Sequence, residues 1–169
     1  MENPVEFGRV LVIVTFMRRP LILLLAAVLL GVTLPAGAAS GRVLKVLPQF
    51  LDLKGRNSIS PSLYDRDAYQ AYLRQHPQER SARRFYVQWK GKATAGDTLK
   101  LRIELRGVTE GNFPRQKTLE TNVKSATWSR WTELTLAGDD YKTFGEVTAW
   151  RTTLWDGETL LDEQKSFLW

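Results

Sequence analysis

From Leu99 to Arg106 the chain reads Leu-Lys-Leu-Arg-Ile-Glu-Leu-Arg, apolar at every odd position and charged at every even one. Successive side chains on an extended backbone point to opposite faces, so this run makes a strand with one oily face and one wet face. Wound into a helix, the same residues would scatter leucine and charge around the whole cylinder. A half-buried strand of this kind must be covered by a second layer, which commits the chain to a sheet-based fold. Phe85, Val87 and Trp89 alternate with Tyr86, Gln88 and Lys90 in the same way.

Other segments carry weaker versions of the pattern. Gly41 to Leu53 holds Val43, Leu44, Val46, Leu47 and Phe50, and predicts a strand broken or bent at Pro48. Thr118 to Lys124 and Trp128 to Leu136 predict two more strands, with Phe113-Pro114 and the run Ala137 to Asp140 read as turns between them. Glu146 to Trp155 and Glu158 to Trp169 flank Asp156-Gly157, a strong hairpin signal. A two-residue turn there sets Trp155 opposite Glu158 and Arg151 opposite Asp162. Neither face is purely apolar in that register, which predicts a bulge or burial on both faces. One helix is expected, about Leu63 to Gln75. Ser62 caps it, Asp65 favours its first turn, and Pro77 follows its end. Ala68, Tyr69, Tyr72 and Leu73 form its apolar face. These elements predict a mainly β fold: an Ig-like two-sheet antiparallel β-sandwich of about seven strands with one inserted α-helix.

The N-terminal part has a different character. Met17-Arg18-Arg19-Pro20, the apolar run Leu21 to Leu34 and the small-residue stretch Ala36 to Ala39 together read as a secretory leader. Glu2 and Glu6 ahead of it do not suit such a leader. Translation is therefore expected to begin at Met17, with residues 1–16 an upstream over-reading, 17–39 a cleaved leader, and 40–169 one domain. The apolar run is shorter than the ~20 residues of a spanning helix. The expected location is periplasmic or extracellular, with no stable membrane span after cleavage.

The sequence holds 24 basic and 18 acidic residues, a net charge of +6, and no cysteine. An exported chain without disulfides must hold itself by packing. The six tryptophans, at 89, 128, 131, 150, 155 and 169, are expected mainly in the core and at sheet edges. Trp128 and Trp131 are three apart, so on one strand they point to opposite faces.

Chemistry is sparse. With one histidine, His76, and no cysteine, the usual zinc ligand sets cannot form, and neither HExxH nor GxSxG occurs. His76 suits the C-terminus of the helix. Gly91 to Thr98 has the glycine spacing of a phosphate loop, but Asp97 stands where lysine is required. Asp139-Asp140 and Asp162-Glu163 are adjacent acids, which on a strand diverge and make no glycosidase pair. No cofactor or metal is expected. The basic cluster Arg80, Arg83 and Arg84 with Lys90 and Lys92 suits an anionic envelope glycan or lipid headgroup better than nucleic acid, given export.

Asp52-Leu53-Lys54-Gly55-Arg56, Pro61-Ser62-Leu63 and Arg66-Asp67-Ala68-Tyr69-Gln70, with the ending Ala149-Trp150-Arg151, Leu154-Trp155 and Ser166-Phe167-Leu168-Trp169, resemble a family of small exported bacterial β-sandwich proteins of uncharacterised function. The resemblance implies the compartment and the fold, and no catalytic residues. The expected function is a non-catalytic protein, monomeric or weakly associating, that binds a protein or glycan partner in the cell envelope. Its surface is placed on the loop and helix, which a sandwich does not need for closure, with Arg56, Arg66, Asp67 and Tyr69 as contacts. The same residues could instead dock the helix onto the sheet. A carboxylate-dependent hydrolase acting on envelope or extracellular glycan is the alternative, and a polymer-binding module with an aromatic row a third.

Overall fold

The computed structural model describes residues 39–109 and 111–169. The expected leader and the start at Met17 lie outside them. Among the described residues, seven strands form two antiparallel sheets. Strands β1 (Ser40–Asp52), β2 (Arg80–Lys92) and β5 (Ala126–Ala137) make a three-stranded sheet in that order. Strands β3 (Thr98–Val108), β4 (Pro114–Lys124), β6 (Glu146–Asp156) and β7 (Thr159–Lys165) make the other, in the order β4-β3-β6-β7. The chain changes sheets between β2 and β3, between β4 and β5, and between β5 and β6, which gives the immunoglobulin-like sandwich.

The alternation at Leu99 to Arg106 works as its pattern demands. Leu99, Leu101, Ile103 and Leu105 are fully buried, and they face Val87, Phe85, Trp89, Leu134 and Leu136 from the other sheet. Full burial of such a side chain contributes ~1.5–3 kcal/mol. Trp89 closes the core with its indole N–H donated to Thr132 Oγ1 at 2.8 Å.

Helix α1 (Leu63–Gln75) lies between β1 and β2 in the chain, with Ser62 Oγ accepting from the Asp65 N–H. Its buried residues are Gln70 and Leu73; of the predicted face Leu73 is buried and Tyr69 half-buried, while Ala68 and Tyr72 are exposed. The helix docks onto a strand edge through a polar side chain as well, so hydrophobic periodicity marks only part of its contact face. The Gln70 amide accepts from the Phe50 N–H at 2.8 Å and donates to the Phe50 carbonyl at 2.9 Å. It thus imitates the peptide group of a neighbouring strand and covers the edge of β1. At the other end of β1, Asp162 Oδ2 accepts from the Val43 N–H at 2.8 Å.

Three expectations are corrected. Pro48 does not break β1. It pairs with Phe85 on an edge strand, where a missing N–H is tolerated, and the irregularities fall at Val43/Lys45 and Leu51/Asp52. Ala137 to Asp140 is not a simple turn: Gly138–Phe144 forms a second helix, α2. Asp139 and Asp140 suit its first turn, while Phe144 is buried and Tyr141 packs against the core. The last hairpin pairs Asp156 with Thr159, one residue on from the predicted register, because Gly157 at φ 55° takes the first central position of the turn. The predicted bulge is present, between Leu154/Asp162 and Trp155/Leu160, and Arg151 meets Glu104 instead of Asp162. The tryptophans divide as core and edge: Trp89 is buried, Trp150 packs against the core, Trp155 and Trp169 are half-buried, and Trp128 and Trp131, on the edge strand β5, are 83% and 50% exposed.

Candidate functional site

The loop after β1 is organised by one buried carboxylate. Asp52 Oδ1 accepts from the N–H groups of Lys54 and Arg56, both at 2.8 Å. Oδ2 accepts from Arg56 Nε at 2.9 Å and from the Tyr69 hydroxyl at 2.8 Å. Burial pushes the Asp52 carboxyl up, but the Arg56 N–H, the Tyr69 hydroxyl, the Arg56 guanidinium and the Lys54 N–H outweigh it and hold its pKa at about 2. Burial, and then the bond to the Asp52 anion, raise the Tyr69 phenol. Arg56 and Tyr69 are thus engaged in tying loop and helix to the end of β1.

Arg66 and Asp67 lie apart from that cluster. Asp67 projects into solvent, its side chain 77% exposed, and its Oδ1 is 3.5 Å from Arg66 Nε. The Arg66 Nε is shielded and makes no hydrogen bond among the described residues. Arg66 hangs over a groove of about 180 Å³ between α1 and the outer face of the three-stranded sheet, lined also by Leu47, Gln49, Asn57, Tyr86 and Trp131. Its polar wall is prearranged. Asn57 Nδ2 donates to Gln49 Oε1 at 2.6 Å and to the Tyr86 hydroxyl at 3.2 Å, and Arg84 donates to the same hydroxyl at 3.2 Å. Gln70 holds the Asn57 carbonyl at 2.8 Å, so the loop bearing Asn57 is fixed by the amide that seats the helix.

The site therefore combines a half-exposed indole, an under-partnered guanidinium and a row of amide and phenol groups. A flat apolar face can lie on Trp131 while a carboxylate or hydroxyl meets Arg66. Of the four sequence-predicted contacts, Arg66 lines the groove, Arg56 and Tyr69 serve the Asp52 cluster, and Asp67 stands beside Arg66. Sequence reasoning missed Trp131, Tyr86, Asn57 and Gln49. A signal for Trp131 was available: Leu134 and Leu136 face the core, and strict alternation then puts Trp131 on the outer face with Glu133 and Thr135.

No family model matches the chain, and no curated protein matches it. Among solved structures, a crystal structure of a protein from Akkermansia muciniphila is similar at a TM-score of 0.47 and 9% identity, over 76% of this chain and 70% of that one.

The remaining polar clusters are structural. Arg80 donates to the Leu73 and Arg74 carbonyls at the end of α1 and pairs with Glu146 at 3.2 Å. The guanidinium groups of Arg80 and Arg83 lie 4.0 and 3.8 Å from the Phe50 ring centre. Burial lowers the Arg83 pKa to about 10. His76 caps α1, with Nδ1 2.8 Å from the Tyr72 carbonyl and its ring stacked on Tyr72. On the outer face of the four-stranded sheet, Glu104 and Glu163 both reach Arg151, at 2.5 and 4.0 Å. Among the described residues there is no cluster of three metal-ligating His, Cys, Asp or Glu side chains, and no helix is long and apolar enough to cross a membrane.

Proposed function

We propose that this chain is an exported, non-catalytic β-sandwich that binds a glycan of the cell envelope in the groove between α1 and the three-stranded sheet. The observation that carries the reading is that Arg66 and Trp131 line one groove together with the hydrogen-bonded polar groups of Gln49, Asn57 and Tyr86. Sugar rings are flat on one side and edged with hydroxyls, and an aromatic platform beside amide, phenol and guanidinium groups answers both features. The groove is open and small, suited to one ring of a longer chain. The leader pattern of residues 17–39 supports the compartment.

The hydrolase alternative needs one carboxylic acid and one carboxylate facing each other across a bound sugar. Asp52 is saturated by four hydrogen bonds from the loop and α1, and Glu104 and Glu163 are tied to Arg151 on an open sheet face. These engagements favour binding over hydrolysis.

Tryptophan fluorescence tests the proposal. Titration with tetragalacturonate and with maltotetraose should change emission through Trp131 for at least one of the two. Trp131→Ala and Arg66→Gln should each weaken that binding at least tenfold while keeping the wild-type circular dichroism. Folded variants that bind as wild type, or a wild-type protein that binds neither oligosaccharide, overturn the reading.

A further inference from the structure

Beyond the groove, the outer face of the three-stranded sheet continues as a cationic track. Gln88 pairs with both Lys45 and Trp131, so these three share a rung next to Leu47 and Tyr86. The next rung sets Arg42 opposite Lys90, and the one after it sets Ser40 opposite Lys92. Val43 and Trp89 on the intervening rung are buried, which puts Arg42 and Lys90 on the outer face, where both are exposed. Like charges directly opposite one another on a sheet destabilise it. Among the described residues, none of Arg42, Lys45, Lys90 and Lys92 has an acidic partner within ion-pair distance, and no acid lies on β1 from Ser40 to Leu47 or on β2 from Tyr86 to Lys92, whereas on the other sheet Arg102 and Arg151 are paired with Glu120 and Glu104. From Tyr86 to Lys92 the track runs about 20 Å at ~3.3 Å per residue, long enough for several linked sugar rings.

We infer that the ligand is a linear acidic glycan, seated by one ring between Trp131 and Arg66 and running along β2 over Lys45, Arg42, Lys90 and Lys92. The inference rests on the glycan reading of the groove and adds the charge and direction of the polymer. Unpaired cations spaced along a strand match regularly spaced carboxylates, and an uncharged chain would leave that repulsion unrelieved.

Isothermal titration of the purified protein with tetragalacturonate, maltotetraose and poly-aspartate separates the outcomes. Tetragalacturonate should bind at least tenfold tighter than maltotetraose and weaken at least fivefold between 50 and 300 mM NaCl. Lys45→Gln/Lys90→Gln should lose about tenfold in affinity for tetragalacturonate and flatten the salt dependence, with an unchanged melting temperature as the folding control. Arg102→Gln, on the other sheet, should bind as wild type. Equal binding of maltotetraose and tetragalacturonate, or a double variant that binds as wild type, overturns the acidic track and leaves the glycan groove standing. Poly-aspartate binding as tightly as tetragalacturonate overturns the glycan assignment in favour of bare charge attraction. Binding of neither oligosaccharide defeats the groove reading itself.

Discussion

Replacing Asp52 by Asn tests how the loop and helix are held. Asp52 is 4% exposed, and four donors converge on its two oxygens. Its carboxyl falls from 3.8 to about 2 on folding. That drop corresponds to roughly 2 kcal/mol. Arg56 is 48% exposed at the side chain, so solvent screens its share, and about 1–2 kcal/mol is the expected net contribution. The sign follows from the direction of the shift. A carboxyl whose folded pKa is depressed stabilises the fold above its unfolded value and loses that contribution as pH falls through the folded one. Asp52→Asn should therefore melt about 4–8 °C below wild type at pH 6 for a domain of this size. The gap should narrow between pH 4 and pH 2 as the wild-type carboxylate is protonated. Paired thermal melts by circular dichroism at pH 6, 4, 3 and 2.5 read this directly. A gap that stays constant across the series refutes the ionic account, and a gap under 1 °C at pH 6 refutes the role of Asp52 altogether.

Gln70→Ala should cost about 2–3 kcal/mol, because it leaves the buried Phe50 peptide and the Asn57 carbonyl unpaired, and the Phe50 amide should lose protection in hydrogen exchange. Gly145→Ala should destabilise by more than ~3 kcal/mol in chemical denaturation: φ there is 84°, and an added Cβ would strike the Val108 carbonyl oxygen. Arg83→Met should raise stability by about 1 kcal/mol by urea titration at pH 7, since burial depresses the Arg83 pKa to about 10 and the charged form is disfavoured in the fold; the lost contact with Phe50 offsets part of the gain.

The parts of this molecule that were legible from sequence are those governed by local rules. Alternation at Leu99 to Arg106 located β3 and its buried face, and Ser62 with Asp65 located the start of α1. What stayed hidden depends on contacts between residues remote in sequence. Gln70 is a polar residue on an exposed-looking helix, and only the edge of β1, twenty positions earlier, explains its burial. Ala137 to Asp140 has turn composition, yet Tyr141 and Phe144 find the core and pull the following residues into α2. The final hairpin turns one residue later than predicted because Gly157 can fill the first central position of its turn; with the bulge this sets Lys165, not Asp162, opposite Arg151, whose guanidinium reaches Glu104 on β3 instead. The candidate groove follows the same division. Arg66 drew notice as a charged residue on an added element, while its counterpart Trp131 arrives from β5, which only the β2–β5 pairing brings alongside.

Charge distribution separates two outer faces that composition alone makes equal. On the four-stranded sheet Arg102 meets Glu120 at 2.7 Å, Arg151 meets Glu104 at 2.5 Å, and Lys165 meets Glu163 at 3.8 Å. The first two pairs cross between strands and the third lies along β7; together they neutralise the face locally, and an anion approaching them would have to displace the carboxylates already there. On the three-stranded sheet the acid nearest the groove on β5 is Glu133, paired with Arg84 at 3.3 Å, and the cations toward Lys92 keep their charge. Lys100, Arg106 and Lys124 on the four-stranded sheet also lack an ion-pair partner among the described residues, but Glu104 and Glu120 stand among them, whereas no acid lies on β1 from Ser40 to Leu47 or on β2 from Tyr86 to Lys92. A protein selected only for solubility has no need of that asymmetry, because interspersed charge serves solubility equally well. An extended anion lying along β2 does need it, since each unpaired cation removes one carboxylate's desolvation cost without breaking a pair already formed.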